Sequence, residues 1–218
     1  MKPQLLIFDI NETILDLSPL KESINQLLGS SEGFDLWFPK LIQFAMVETL
    51  TGSYSDFGEI GAATLEMTAQ SFSKSISEKE IKTTLSIITQ LQPHPDVLEG
   101  LVNLKKKGFR LVALTNGGKS TLEKQMNYSG LDFYFDSLYS VESVKKFKPH
   151  PETYNYVLKK ENCDPKNAML VAAHAWDIVG AQQAGLQTAF IERNGKYLYP
   201  NTEKPSLSVK NLTDLIPN

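Results

Sequence analysis

The sequence predicts an α/β protein with a doubly wound, parallel-sheet core of Rossmann-like type and an inserted helical cap. Three observations predict it. Short apolar runs alternate with helical patterns along the second half of the 218-residue chain, the rhythm of a parallel sheet covered on both faces. The first apolar run is followed by four helical patterns in succession. Each strand-like run ends in a polar cluster. The predicted domains are a core of residues 1–16 and 93–218 and a cap of residues 17–92.

Leu5-Leu6-Ile7-Phe8 is continuously apolar, as a strand buried on both faces must be. The segments Ser18 to Gly29, Phe34 to Leu50, Asp56 to Ser73 and Ser77 to Leu91 read as helices, and Ser77 with Glu80 forms a capping box. Pro93-His94-Pro95 marks the return to the core, because a residue before proline leaves the helical region. Val97, Leu98, Leu101, Val102 and Leu104 share one face of a helix from Pro95 to Lys107, closed by Gly108. Leu111 to Leu114 is the next strand, and Ser120 to Ser129 the helix after it. Ser137 to Val141 is a weaker strand. Pro151 opens a helix to Glu161 with Tyr154, Val157 and Leu158 on one side. Ala168 to Val171 is a strand, Ile178 to Ala184 a helix ended by Gly185, and Thr188 to Ile191 a last strand.

Composition narrows the function. Twenty-two basic and 25 acidic residues give a net charge of −3 with no basic tract, which argues against nucleic acid as a partner. Cys163 is the only cysteine, so an internal disulfide is excluded and structural zinc would need other ligands. No stretch approaches the roughly 18 apolar residues of a membrane span, and the N-terminus lacks the pattern of a signal peptide. A cytoplasmic location is expected. Gly118-Lys119-Ser120 resembles the end of a phosphate-binding loop, but Ala113 stands where that loop needs glycine.

Ligands of open parallel sheets bind beyond the carboxyl ends of the strands. The residues there are Asp9, Asn11 and Thr13; Thr115 and Asn116; Lys148; and His174 and Asp177. A carboxylate in a water-poor crevice beside Lys148 stays ionised and is competent as a covalent nucleophile.

Asp9-Ile10-Asn11-Glu12-Thr13, Thr115-Asn116, Lys148-Pro149 and Asp177 resemble, in order and spacing, the four motifs of the haloacid-dehalogenase-like hydrolase superfamily. Lys148-Pro149 followed by Tyr154, and Ala175-Trp176-Asp177, are similar to its L-2-haloacid dehalogenase branch. The resemblance covers nearly the whole chain. It implies that Asp9 attacks C2 of a short L-2-haloalkanoate, releasing halide, and that water hydrolyses the resulting ester to a D-2-hydroxy acid. It implies that Lys148 steadies Asp9 and that Thr13, Thr115 and Asn116 supply donors. Tyr154 and Asp177 would support them, with no cofactor or metal. A homodimer is implied by the family alone.

Four positions depart from the superfamily's patterns. Its phosphatases carry a second Asp two residues after the nucleophile, where this chain has Asn11. They also use an acidic residue for Mg²⁺ at the position of Ala173. The dehalogenases carry a cap Arg after a Leu-Trp pair, where Phe38 follows Leu36-Trp37. They carry Asn at the position of His174. A histidine titrating near neutrality can take a proton from water, so His174 is expected to be the base for ester hydrolysis. Asp16, or else Glu12, would orient it. Trp176 and Phe38 are expected at the pocket wall. The alternatives are a Mg²⁺-dependent phosphatase or other small-molecule hydrolase on the same scaffold, and a non-catalytic binding module.

Overall fold

The computed structural model describes residues 3–215; the predicted domain ends at 1–2 and 216–218 lie outside the described residues. One sheet contains β1 (Leu5–Phe8), β2 (Arg110–Thr115), β3 (Ser137–Ser140), β4 (Ala168–Ala172), β5 (Gln187–Ile191) and β6 (Leu207–Val209). Its strand order is β3-β2-β1-β4-β5-β6, and every neighbouring pair is parallel. The central strands are apolar throughout because both faces are covered: all four residues of β1 and all five of β4 are buried. Phe8 pairs with Ala113 of β2 on one side and Val171 of β4 on the other. The sheet order therefore reverses at β1, and a crevice opens at its carboxyl end.

Between β1 and β2 run α1 (Ser18–Leu28), α2 (Gly33–Thr51), α3 (Phe57–Ser71) and α4 (Glu78–Ser86). Capping boxes at Asp56 and Ser77 start α3 and α4 by pairing the first free amides. The segment predicted as one helix to Leu91 tightens into a 3₁₀ turn at Ile87–Thr89. After β2 and around the sheet lie α6 (Lys119–Ser129), α7 (Pro151–Lys160) and α8 (Ala175–Gln183), with α5 (Val97–Lys106) preceding β2. Leu20, Ile24 and Trp37 of the inserted helices join the same apolar cluster as Phe8, Val112 and Leu170 of the sheet.

Two elements differ from the sequence reading. Helix α8 begins at Ala175, three residues before the predicted start, and His174 is its N-cap residue. Trp176 and Asp177 thus lie in the first helical turn. Strand β6 was not predicted; it is a three-residue edge strand with partly exposed side chains, too short for an alternation to register. No described helix is long and apolar enough to cross a membrane.

Candidate active site

The main chain leaves β1 at Asp9 and turns at once: Ile14 N and Leu15 N both donate to Ile10 O, at 2.9 and 3.0 Å. This tight loop folds Thr13 back over Asp9. Thr13 Oγ1 donates to Asp9 Oδ2 at 2.7 Å and accepts from Ala173 N at 2.9 Å, tying the end of β1 to the end of β4. Arg193 fixes the loop from behind. Its Nε and Nη2 donate to Thr13 O at 3.1 and 2.9 Å, and its Nη1 donates to Asp96 at 2.8 Å.

Lys148 is fully buried, and its ammonium donates to three oxygens: Asp9 Oδ1 at 2.8 Å, Asp177 Oδ2 at 2.7 Å and Leu114 O at 3.0 Å. Its three N–H groups are thereby satisfied. Asn116 Oδ1 accepts from Lys148 N at 2.8 Å and holds that segment in place. Tyr154 donates to Asp177 Oδ1 at 2.6 Å, leaving the other oxygen for the lysine.

Burial alone would raise the Asp9 pKa. The charge of Lys148, joined by the hydrogen bond and charge of His174, outweighs it and holds Asp9 well below the usual carboxylate range. Burial would discharge Lys148, but the charges of Asp177 and Asp9 keep it protonated. Asp177 is pushed upward by its burial, with repulsion from Asp9 adding to the effect against the opposing charge of Lys148.

His174 lies between two carboxylates. Its Nδ1 is 3.1 Å from Asp9 Oδ2, and its Nε2 is 2.7 Å from Glu12 Oε2. Burial disfavours the charged ring, but the hydrogen bonds and charges of Asp9 and Glu12 raise its pKa to about 9. The imidazole is protonated at neutral pH in this state, where the sequence suggested a ring titrating near neutrality. Phe38 and Trp176 stack on it, with ring centroids 5.9 and 5.0 Å away.

The carboxylate that orients His174 is Glu12 and not Asp16. Asp16 Oδ1 instead accepts from Ser18 N and Ser18 Oγ at the start of α1, at 2.9 and 2.6 Å. Glu12 reaches the imidazole because its backbone is left-handed, with φ 63°, a conformation uncommon outside glycine. Lys196 lies 2.7 Å from both carboxylate oxygens of Glu12, donating to the Oε2 that also faces His174, and its ammonium lies 5.7 Å from the Phe38 ring centroid. Sequence reasoning missed Lys196 and Arg193. Both follow the carboxyl end of β5, so the rule that found the other residues also applied to them.

The remaining candidates serve the surroundings. Thr115 Oγ1 accepts from Gly117 N at 3.1 Å, shaping the turn into α6. Asn11 Oδ1 accepts from Gln125 Nε2 at 2.9 Å. Asn116 Nδ2 is buried with no hydrogen-bond partner among the described residues. Asn11, Trp37, Phe38, Leu41, Phe57 and Gly117, among others, line an apolar cavity of about 80 Å³. Glu12 itself lines a wider charged cleft of about 670 Å³, together with His94, Arg193 and Lys196.

The donor set does not fit a divalent cation. The two carboxylates that would receive one, Asp9 and Asp177, are bridged by the Lys148 ammonium. Among the described residues no three His, Cys, Asp or Glu side chains are grouped to hold a metal.

Together these features define a Rossmann-like α/β protein with a buried, ion-paired carboxylate, Asp9, at the end of the central strand and helices inserted after it. The chain belongs to the haloacid dehalogenase-like hydrolases, whose family model matches residues 6–191. It is 28% identical to haloacetate dehalogenase H-2 of Moraxella sp. (strain B) over 196 residues, 89% of this chain and 88% of that one. It is 29% identical to (S)-2-haloacid dehalogenase 4A of Burkholderia cepacia over 192 residues, 87% of this chain and 83% of that one. The structure of L-2-haloacid dehalogenase from Xanthobacter autotrophicus superposes with a TM-score of 0.90 at 22% identity, covering 98% of this chain and 96% of that one. At that identity the superposition establishes the fold.

Proposed function

We propose that the protein hydrolyses the carbon–halogen bond of short L-2-haloalkanoic acids without a metal, through an ester on Asp9. The observation that carries this reading is Asp9 itself, a buried carboxylate kept ionised by Lys148, two residues before Asn11 in the wall of an apolar cavity. An ionised, poorly hydrated carboxylate is a strong nucleophile, and a dry wall suits the alkyl part of a haloacid. The names of the two curated relatives support the same chemistry.

In this reading Asp9 displaces halide from C2 with inversion. Asn116 Nδ2, a buried donor in need of an acceptor, binds the substrate carboxylate or the departing halide. Lys148 and Thr13 steady the negative charge of Asp9. Water then attacks the ester carbonyl, and His174 takes its proton, giving a D-2-hydroxy acid. Tyr154 and Asp177 hold Lys148 in position, and Phe38 and Trp176 wall the site. Residues 17–92 act as a cap on a core of residues 1–16 and 93–218. The working form is a cytoplasmic homodimer, and Leu36, Val47 and Leu50, exposed along α2, offer an apolar face for it.

The phosphatase reading lacks its proton donor, because Asn11 is an amide that cannot give and recover a proton, and its oxygen is bonded to Gln125. The test is halide release from L- and D-2-bromopropionate in EDTA, with Asp9→Asn as control. Release from the L form alone, abolished in the variant, is expected. Release of phosphate from a phosphate ester with Mg²⁺, and no halide, overturns the reading.

A further inference from the structure

His174 presents both ring nitrogens to carboxylates, Asp9 on one side and Glu12 on the other. A neutral imidazole has one N–H and would leave one carboxylate facing a lone pair. Only the doubly protonated ring satisfies both, and a doubly protonated ring cannot take a proton from water. The geometry therefore poses a question that the hydrolytic reading leaves open: how His174 becomes a base.

We infer that esterification of Asp9 discharges His174, and that the proton leaves through Glu12 into the charged cleft, with Lys196 as the positioning residue at the exit. The inference rests on the dehalogenase reading. Attack by Asp9 forms the C–O bond and breaks the C–halogen bond, and halide carries off the negative charge. The carboxylate that held one ring N–H is then a neutral ester. Glu12 alone remains against the ring, and its own charge is matched by Lys196 at 2.7 Å. The imidazolium releases one proton to solvent. The neutral ring next takes a proton from water as its oxygen attacks the ester carbonyl. Cleavage of the acyl C–O bond gives the hydroxy acid and restores the Asp9 carboxylate and the imidazolium. One water is consumed, and one proton and one halide are released per turnover.

The route outward follows from what surrounds the ring. Phe38 of α2 and Trp176 of α8 cover its two faces, and Asp9, backed by Lys148, closes the inner edge. Glu12, backed by Lys196, is the only charged group on the outer edge among the described contacts of the ring. Side-chain exposure rises in the same direction, from 6% at His174 to 13% at Glu12 and 23% at Lys196. Beyond Lys196 the cleft holds His94, Arg193 and Glu192, whereas the substrate cavity is walled by Trp37, Phe38 and Leu41. Charged partners for a departing proton line the cleft and not the apolar cavity.

The test is a single turnover of L-2-bromopropionate by excess enzyme near neutral pH, in weak buffer with a pH indicator. Halide and hydroxy acid are followed by quenching. About one proton is expected in phase with halide and ahead of hydroxy acid. In Glu12→Gln the proton trace is expected to lag halide by roughly tenfold or more. Lys196→Met leaves Glu12 uncompensated and tightens the ring's hold on its proton. The acid limb of the ester-hydrolysis profile is expected to move upward by about one pH unit. Protons appearing only with hydroxy acid, or a Lys196→Met profile that superimposes on the parent, overturn the inference and leave the dehalogenase reading standing. Absence of halide overturns both.

Discussion

Lys148 Nζ lies 2.7 Å from Asp177 Oδ2, and neither side chain reaches solvent. The lysine is thus shared between the carboxylate that reacts in our reading and one that only holds it. Among the described residues, removing it leaves Asp177 with no opposing charge and Asp9 with His174 as its one remaining counter-charge, and a buried ion that loses its partner costs about 3–5 kcal/mol. Lys148→Met is expected to lower stability by that amount in urea unfolding and to cut halide release on the order of 10³-fold. Unchanged unfolding would mean that Asp9 and Asp177 are not both ionised in the folded protein.

Gly180 of α8 lies under Pro149 and Tyr154. A Cβ there would meet Pro149 Cβ at 2.4 Å, Tyr154 Oη at 2.6 Å and Pro149 O at 2.8 Å. Tyr154 is the partner of Asp177, so the clash passes to Lys148 through one carboxylate. Gly180→Ala is expected to destabilise the fold by about 1–3 kcal/mol, as overpacking does. It is also expected to lower kcat with little change in KM. Steady-state kinetics beside thermal unfolding separate the two effects.

The meeting of Asp9, Thr13, Lys148 and Asp177 was legible because each follows, or packs beside, a strand whose apolar run marks where it ends. What was not legible depended on backbone conformation and on segments without period. Glu12, and not Asp16, faces His174 because its φ is positive, and nothing in Asn-Glu-Thr announces that. Lys196 follows β5, where the strand-end rule places it near the site, but it lies in a stretch with neither helical nor alternating pattern, and its pairing with Glu12 is seen only in the structure. Ala175 and Trp176 continue the apolar character of β4, which concealed the start of α8. The protonation of His174 needed both of its neighbours, and one of them was misassigned.

The raised His174 pKa sets the pH dependence of stability. The ring is at about 9 when folded, against 6.5 for an unperturbed histidine. Its contribution is fully present below the unfolded value and is lost as pH rises through the folded one. Between about pH 6.5 and 9, stability is expected to fall by about 3 kcal/mol. The bonds to Asp9 and Glu12 are the same interactions seen from the carboxylate side and add nothing further in that window. Urea midpoints at several pH values, compared with His174→Asn, check this. A slope that survives the substitution assigns the titration elsewhere.

Asn116 divides its amide between two tasks. Oδ1 holds Lys148 N, and Nδ2 is a buried donor without a partner among the described residues. Asn116→Asp keeps the first and turns the second into a negative charge facing an anionic substrate. KM for 2-bromopropionate is expected to rise by roughly 10- to 100-fold, the range of about 1–3 kcal/mol for a lost buried hydrogen bond. The fold is expected to be retained by circular dichroism. An unchanged KM would remove Asn116 from substrate binding.

Phe38 follows Leu36-Trp37 where the family resemblance leads one to expect a cap arginine, and placing an arginine there tests whether charge is lacking. The ring centroid is 5.9 Å from the centroid of His174 and 5.7 Å from the Lys196 ammonium. A guanidinium at this point joins two cations, and like charges at such distances oppose one another even when partly screened. It also removes the ring that stacks on the imidazolium. Phe38→Arg alone is therefore expected not to lower KM, and to shift the pH dependence of stability downward by weakening the hold on the His174 proton. Pairing it with Lys196→Met relieves one repulsion. In that background Phe38→Arg is expected to lower KM by about tenfold, so the two substitutions are non-additive in a cycle. Steady-state KM values for the four proteins decide it. If Phe38→Arg lowers KM equally in both backgrounds, Lys196 does not oppose a cation at position 38.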